Sequence, residues 1–141
     1  MKSLNKTTIL PCQEVVRSWH LVDLEGQTLG RIATKLASIL MGKDKVAQSL
    51  NHDCGDYIVA INSDKIKVTG KKLTQKIYYS HSGYPGNLRE LTLKVMMAKD
   101  STKVIYAAVR NMLPKNRLRN PRLKRLKIFK NEQHIYSDKL K

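Results

Sequence analysis

A chain of 141 residues with 41% hydrophobic residues is the size of one domain and too apolar for wholesale disorder. Its 27 Lys and Arg against 11 Asp and Glu leave a net charge of +16, a self-repulsion that calls for a polyanionic partner. No run reaches the ~18 apolar residues of a membrane-spanning helix, and the cations are spread along the whole chain, so nucleic acid is favoured over an anionic membrane.

Residues 1–17 read as a flexible N-terminal arm interrupted by Pro11. The arm lacks the apolar core of a secretory signal. Its Lys2, Lys6 and Arg17 among Ser and Thr resemble an organelle transit peptide only weakly, because Glu14 is present. Cys12 and Cys54 have no CxxC partner and no histidines at zinc spacing, so they are expected to be ordinary thiols of a reducing compartment.

Residues 19–24 (WHLVDL) read as a first strand, and Glu25-Gly26-Gln27 as a turn. The spacing of Leu29, Ile32, Ala33, Leu36, Ala37 and Leu40 predicts a helix over 28–41 with one apolar face. Arg31 and Lys35 sit together on its other side, and Gly42 stands at a C-cap position with Lys43 and Lys45 just beyond. A loop over 51–55 leads to YIVAI at 57–61, a continuous apolar run expected for a strand buried on both faces. Asn62-Ser63-Asp64 turns the chain, and 65–68 (KIKV) is expected to be a short strand. Strand, helix and buried strand suggest a βαβ unit with a parallel sheet.

Residues 69–89 interleave Lys71, Lys72, Lys76, His81 and Arg89 with Tyr78, Tyr79 and Tyr84 around a Gly83-Tyr84-Pro85-Gly86 loop. Flat rings among cations suit looped or single-stranded RNA by stacking plus phosphate contact. The bland alternative is half-buried strand tyrosines beside solvated lysines. Two helices are expected over 91–98 and 102–112, with Asp100 or Ser101 as N-cap of the second and Pro114 as its stop. The stretch 110–130 carries Arg110, Lys115, Arg117, Arg119, Arg122, Lys124, Arg125, Lys127 and Lys130 with no acid. Leucines threaded between these charges indicate that part of it docks on a folded body. Pro121 is expected to break it again, 126–129 to form a last strand, and 134–141 to be polar and extended.

No catalytic constellation emerges. His20, His52, His81 and His134 lie far apart, and His52-Asp53-Cys54 has no further ligand spacing, so it reads as a polar loop. Gly70-Lys71-Lys72 lacks the GxxxxGK[ST] spacing of a phosphate loop, and Gly26 with Gly30 does not make GxGxxG. Asp23 and Asp56 are expected to be caps or turn formers rather than a carboxylate pair. No cofactor, metal or small-molecule substrate is expected.

The run WHLVDLEGQTLGRIATKLASILMGKDK resembles the opening of the large-subunit ribosomal protein family L-thirteen. DCGDYIVAINSDKIKVTGKK, QKIYYSHSGYPG and NMLPKNRLR…LKIF follow in the family's order and at similar spacing. The resemblance implies an α/β fold of three layers, with a central, mostly parallel sheet flanked by helices over a single domain at 18–130 and a tail at 131–141. It implies a structural, non-catalytic role in the large ribosomal subunit, binding its RNA and supporting assembly and translation beside neighbours such as the L-three and L-twenty families. SHSGYPG, DCGD and the basic run, in place of an LPKGPLGR-like turn, resemble mitochondrial members; a plastid or bacterial ribosome is the alternative. Carried onto this chain, the RNA-facing positions are Arg31, Lys35, Lys43, Lys45, Lys71, Lys72, Lys76, His81, Tyr84, Arg110 and the other basic residues of 115–130. A free RNA-binding regulator outside the ribosome is the competing function, and an enzyme acting on RNA or a nucleotide the third.

Overall fold

The computed structural model describes residues 15–140, apart from 47 and 50. Most of the expected N-terminal arm, with Cys12, lies outside the described residues.

The first helix, α1 (Leu29–Met41), buries all six residues of the apolar stripe and leaves Arg31 and Lys35 exposed. It ends at Gly42, whose φ of 72° only glycine adopts cheaply. There the Gly42 N–H donates to the Ile39 carbonyl (3.0 Å) and the Lys43 N–H to that of Ser38 (3.1 Å), a Schellman cap that pairs two otherwise orphaned carbonyls.

Before and after α1 lie β1 (Trp19–Asp23) and β2 (Tyr57–Ile61), which pair in parallel from Trp19 opposite Tyr57 to Asp23 opposite Ile61. On the other side of β2, also parallel, lies β5 (Leu126–Ile128), with Ile58 opposite Leu126. The order β1-β2-β5 runs one way. Two right-handed crossovers in the same direction place their helices on the same face. Accordingly Ile58, Ala60 and Leu126 share one core with Leu36 and Leu40 of α1 and with Val104, Ile105 and Val109 of α3 (Leu93–Met112). The strand order does not reverse, so among the described residues there is no topological switch point, the place where doubly wound sheets hold ligands.

The opposite sheet face, bearing Trp19 and Tyr57, receives the C-terminal segment. Trp19 stacks on Tyr57 (4.4 Å between ring centroids, 8° between planes) and on Tyr136 (5.2 Å), and the Lys139 ammonium sits 5.1 Å from the Trp19 ring. The three layers are therefore helices, sheet and C-terminal segment. The end of the chain is not extended as expected: aromatic stacking and cation–π attraction fold it back, and Ser137–Lys139 forms a 3-10 turn.

Three further expectations are corrected. Residues 65–68 make a single bridge, Lys67 to Thr28, because Ser63–Lys65 is already a 3-10 turn. The helix expected from 91 starts at Leu93, because Leu91 and Thr92 pair with Tyr78 and Ile77 in a separate hairpin, β3 (Ile77–His81) with β4 (Leu88–Thr92). Pro121 does not break the chain; it lies in the first turn of α4 (Arg119–Lys124), where a missing N–H leaves no hydrogen bond unmade. The two helices expected around Asp100 do form, joined as α3 but interrupted where Asp100 is extended (φ −162°, ψ 97°). Its carboxylate accepts from the Thr102 N–H (3.2 Å) and hydroxyl (2.6 Å), the N-cap expected of it.

Close backbone contact locks α1 to the loop before β2. A Cβ on Gly55 would lie 1.9 Å from the Leu40 carbonyl oxygen, and one on Gly42 would lie 2.9 Å from the Cys54 carbonyl. Backbone cannot rotate away as a side chain can. Gly55→Ala is therefore expected to destabilise the fold by about 3 kcal/mol, the upper end of overpacking costs. A urea midpoint unchanged from wild type would refute that tightness.

Candidate nucleic-acid interface

The basic stretch 110–130 divides into an inward and an outward set. Arg119, Arg122 and Arg125 are spaced by three along α4 and its end, which places them on one side. Arg122 and Arg125 are buried, only 4% and 6% exposed. Arg125 grips Asp53 with both fork nitrogens: Nη2 donates to Oδ1 at 2.6 Å and Nη1 to Oδ2. Arg122 Nε reaches Asp53 Oδ1 at 3.4 Å, and Arg125 Nη2 also donates to the Leu40 carbonyl at the end of α1 (3.3 Å). Arg119, half-buried, donates through Nε (3.0 Å) and Nη2 (2.6 Å) to the Arg110 carbonyl in the last turn of α3. These cations serve helix ends, where positive charge is favoured, and a buried carboxylate.

Arg122 and Arg125 were expected to face RNA; the structure places them in the interior instead, because Asp53 supplies the anion they need. Arg110, Lys115, Arg117, Lys124 and Lys130 remain exposed, and Lys127 is half-buried. The loop around His52 is likewise more than a polar loop. Burial pushes the Asp53 carboxyl up, but the Arg125 and Arg122 guanidinium groups more than reverse this and hold it below its ordinary value. Asp56 behaves the same way, with burial overcome by Lys45, His20 and the Ser18 N–H. Lys45 Nζ lies 2.5 Å from Asp56 Oδ1 and donates to the Val16 carbonyl (2.7 Å), so part of its charge is internally neutralised. At the far end of β1, Asp23 accepts from the Glu25 N–H and the Asn62 amide, the turn-forming role expected. Among the described residues, no cluster of His, Cys, Asp and Glu could hold a metal.

The β3–β4 hairpin stands largely in solvent. Tyr79 and Tyr84 are 63% and 71% exposed, whereas Tyr78 packs against the core margin with Lys76 Nζ 5.4 Å from its ring centre. Burial pushes the Tyr78 phenol up. His81 Nδ1 accepts from the Gly83 N–H (2.9 Å) and so shapes the loop that presents Tyr84. Lys71, Lys72 and Lys76 precede the hairpin, and all are exposed. A two-stranded hairpin is marginal by itself. This one is anchored through Tyr78 and the Leu93 N–H, which donates to the Lys76 carbonyl (2.8 Å).

Tertiary folding brings Lys72 and Lys76 beside the start of α1 and the end of α3 around one cleft of about 280 Å³. Lys72 and Lys76 line it from one side, Thr28 to Gly30 from the start of α1, and Asn111 and Met112 from the end of α3. Arg31 and Arg110, each next in sequence to a lining residue, do not themselves line it. Lys43, His81, Lys124 and Lys130 do not line it. Sequence reasoning missed this cleft, since Gly30, Val68 and Asn111 carry no charge to mark them. It also left out the exposed Lys94 and Lys103, for which charge was the available signal.

A family model for ribosomal protein L13 matches residues 17–135, nearly the whole described body. This chain belongs to the ribosomal protein L13 family. It is similar to large ribosomal subunit protein uL13 of Thermosipho africanus, 50% identical over 95% of this chain and 90% of that protein. It is likewise similar to uL13 of Thermotoga petrophila (49%, over 93% and 88%) and of Aquifex aeolicus (50%, over 92% and 90%). As an L13 family member, the chain carries the TLGR block at the start of α1, GDYI leading into β2 and HSGYPG in the hairpin loop, so the residues of the resemblance sit at element starts and turns.

Proposed function

We propose that this chain is a structural constituent of the large ribosomal subunit, holding segments of large-subunit RNA together during assembly and in the finished particle. The observation that carries it is the division of the cations. A few are neutralised inside, whereas Arg31, Lys35, Lys43, Lys71, Lys72, Lys76, Arg110, Lys115, Arg117, Lys124 and Lys130 face outward on a folded body, beside the exposed His81 and Tyr84 of the hairpin. Held on a preformed surface, these groups meet phosphates without first losing backbone freedom. Basic surface alternates with the exposed rings of the hairpin, which suits looped RNA.

No chemical step is assigned; binding and charge neutralisation are the function. Residues 18–130 form the RNA-binding domain. The partners are the RNA and neighbouring large-subunit proteins. The three similar proteins above come from bacteria, which favours a ribosome of the bacterial type over the mitochondrial one expected from SHSGYPG and DCGD.

Sucrose-gradient sedimentation with an immunoblot tests this reading. The chain is expected to travel with the large subunit in high salt and to leave it on RNase treatment. A chain that stays at the top of the gradient under all conditions would instead be a free RNA binder.

A further inference from the structure

We propose that the cleft between α1, α2 (Lys72–Gln75) and α3 takes one unstacked nucleotide of the bound RNA, its base against the apolar floor and its phosphate beside Lys72 and Lys76. This rests on the RNA-binding reading above and specifies one site within it.

The cleft has the right chemistry for a base. Leu29, Val68, Leu93 and Met112 give it apolar walls, and Thr69 and Asn111 add hydrogen-bonding groups that can meet a base edge. Its two charged lining residues are both lysines, and no acid lines it, so an anionic occupant fits and an acidic peptide side chain has no special claim. At about 280 Å³ it lies just below the ~300 Å³ at which ligand pockets usually begin, and suits one flat group rather than a helix or strand. Proteins that read RNA sequence do so mainly from unstacked bases, because the A-form major groove is too narrow for side chains.

Gly30 supplies the independent observation. It lies in the first turn of α1 and lines the cleft. A glycine inside a helix weakens it relative to alanine. Nothing within this chain asks for it: its φ lies outside the left-handed region, and a Cβ built there would meet no atom within 4 Å. Gly55 contrasts directly, since the chain itself fills the space its Cβ would need. Gly30 lines the cleft and has open space where a Cβ would stand, so a side chain introduced there tests whether a group from outside uses that space.

Gly30→Ala and Gly30→Leu separate the two demands. Both variants are expected to melt at or above the wild-type temperature, because alanine and leucine favour a helix over glycine and a Cβ at 30 meets no atom within 4 Å. Affinity for protein-free large-subunit RNA of a bacterial ribosome, measured by filter binding at fixed salt, is expected to fall for Gly30→Leu by about tenfold to a hundredfold, the worth of one base contact. Chemical probing is expected to show one base protected by wild type and reactive with Gly30→Leu, the surrounding phosphate protections being kept. An abasic substitution at that nucleotide is expected to weaken wild type by a similar factor and Gly30→Leu hardly at all. Unchanged affinity of Gly30→Leu beside a wild type that binds would overturn the cleft site and leave the RNA-binding reading standing. So would unchanged RNA affinity with loss of subunit co-sedimentation, which would assign the cleft to a neighbouring protein. A wild type that binds no RNA would overturn the reading itself.

Discussion

Asp53→Ala is expected to lower the stability of the chain by about 3–5 kcal/mol, because it strands two buried guanidinium groups. Arg122 and Arg125 are 4% and 6% exposed, and Asp53 is the carboxylate that both contact. The size of the effect comes from the missing partner rather than from any large net value of the ion pairs. Taking three charges out of water costs about what their attraction returns. A triple variant with apolar residues of similar size at 53, 122 and 125 is therefore expected to recover most of the loss. If Asp53→Ala and the triple variant unfold at the same urea concentration, stranded charge is not the cause.

The same triad gives acid sensitivity of defined sign. The Asp53 carboxyl is held below its ordinary value of 3.8 in the folded chain. Below that ordinary value the unfolded chain binds a proton that the folded chain refuses, so stability falls with pH there. It is fully present above about pH 4 and lost as pH drops through the lowered folded value. Asp53→Asn is expected to be less stable at neutral pH and flatter in the acid range.

The second large effect lies in RNA binding. If about six to ten phosphates are engaged, affinity for large-subunit RNA is expected to fall about 10³–10⁵-fold between 50 and 200 mM salt. Counterion release sets this fall, so each exposed cation removed lowers the log–log slope by about 0.7–0.9. Lys72→Ala and Lys115→Ala are expected to do so. Arg122→Met is not, since Arg122 faces Asp53 rather than solvent. A slope that drops equally for Arg122 and Lys72 would mean that the buried arginine turns outward on RNA, against the division of charges described above.

Much of the body was legible because its local signals agreed. The i, i+3, i+4 spacing of α1, the left-handed cap at Gly42 and the unbroken apolar run of β2 all point the same way, and the structure follows them. Asp100 could be identified as a cap because a short acceptor stood just ahead of an apolar stripe. The site was less legible. Charge count marks a basic stretch but says nothing about which side of it meets protein. The three-residue spacing of Arg119, Arg122 and Arg125 was a usable clue, but the carboxylate that Arg122 and Arg125 share stands 72 residues from Arg125, a separation that no window on the sequence spans. The hairpin was read as a binding stretch from its tyrosines, yet Tyr78 turned inward and Tyr79 outward, the ordinary alternation of a strand. The cleft left no mark, since its walls come from four separate segments.

The Asp53 contact also bears on the order in which the chain is made. The β1-α1-β2 unit is complete by Ile61, and its loop holds Asp53 against the end of α1, but Arg122 and Arg125 are translated some sixty residues later. Until they arrive, the early half of the protein must keep a carboxylate exposed to water that the finished fold encloses. The first half therefore cannot close fully ahead of the second. α4 and β5 bring both the last parallel strand and the two arginines that neutralise that carboxylate, so completion of the sheet and burial of the charge depend on the same segment.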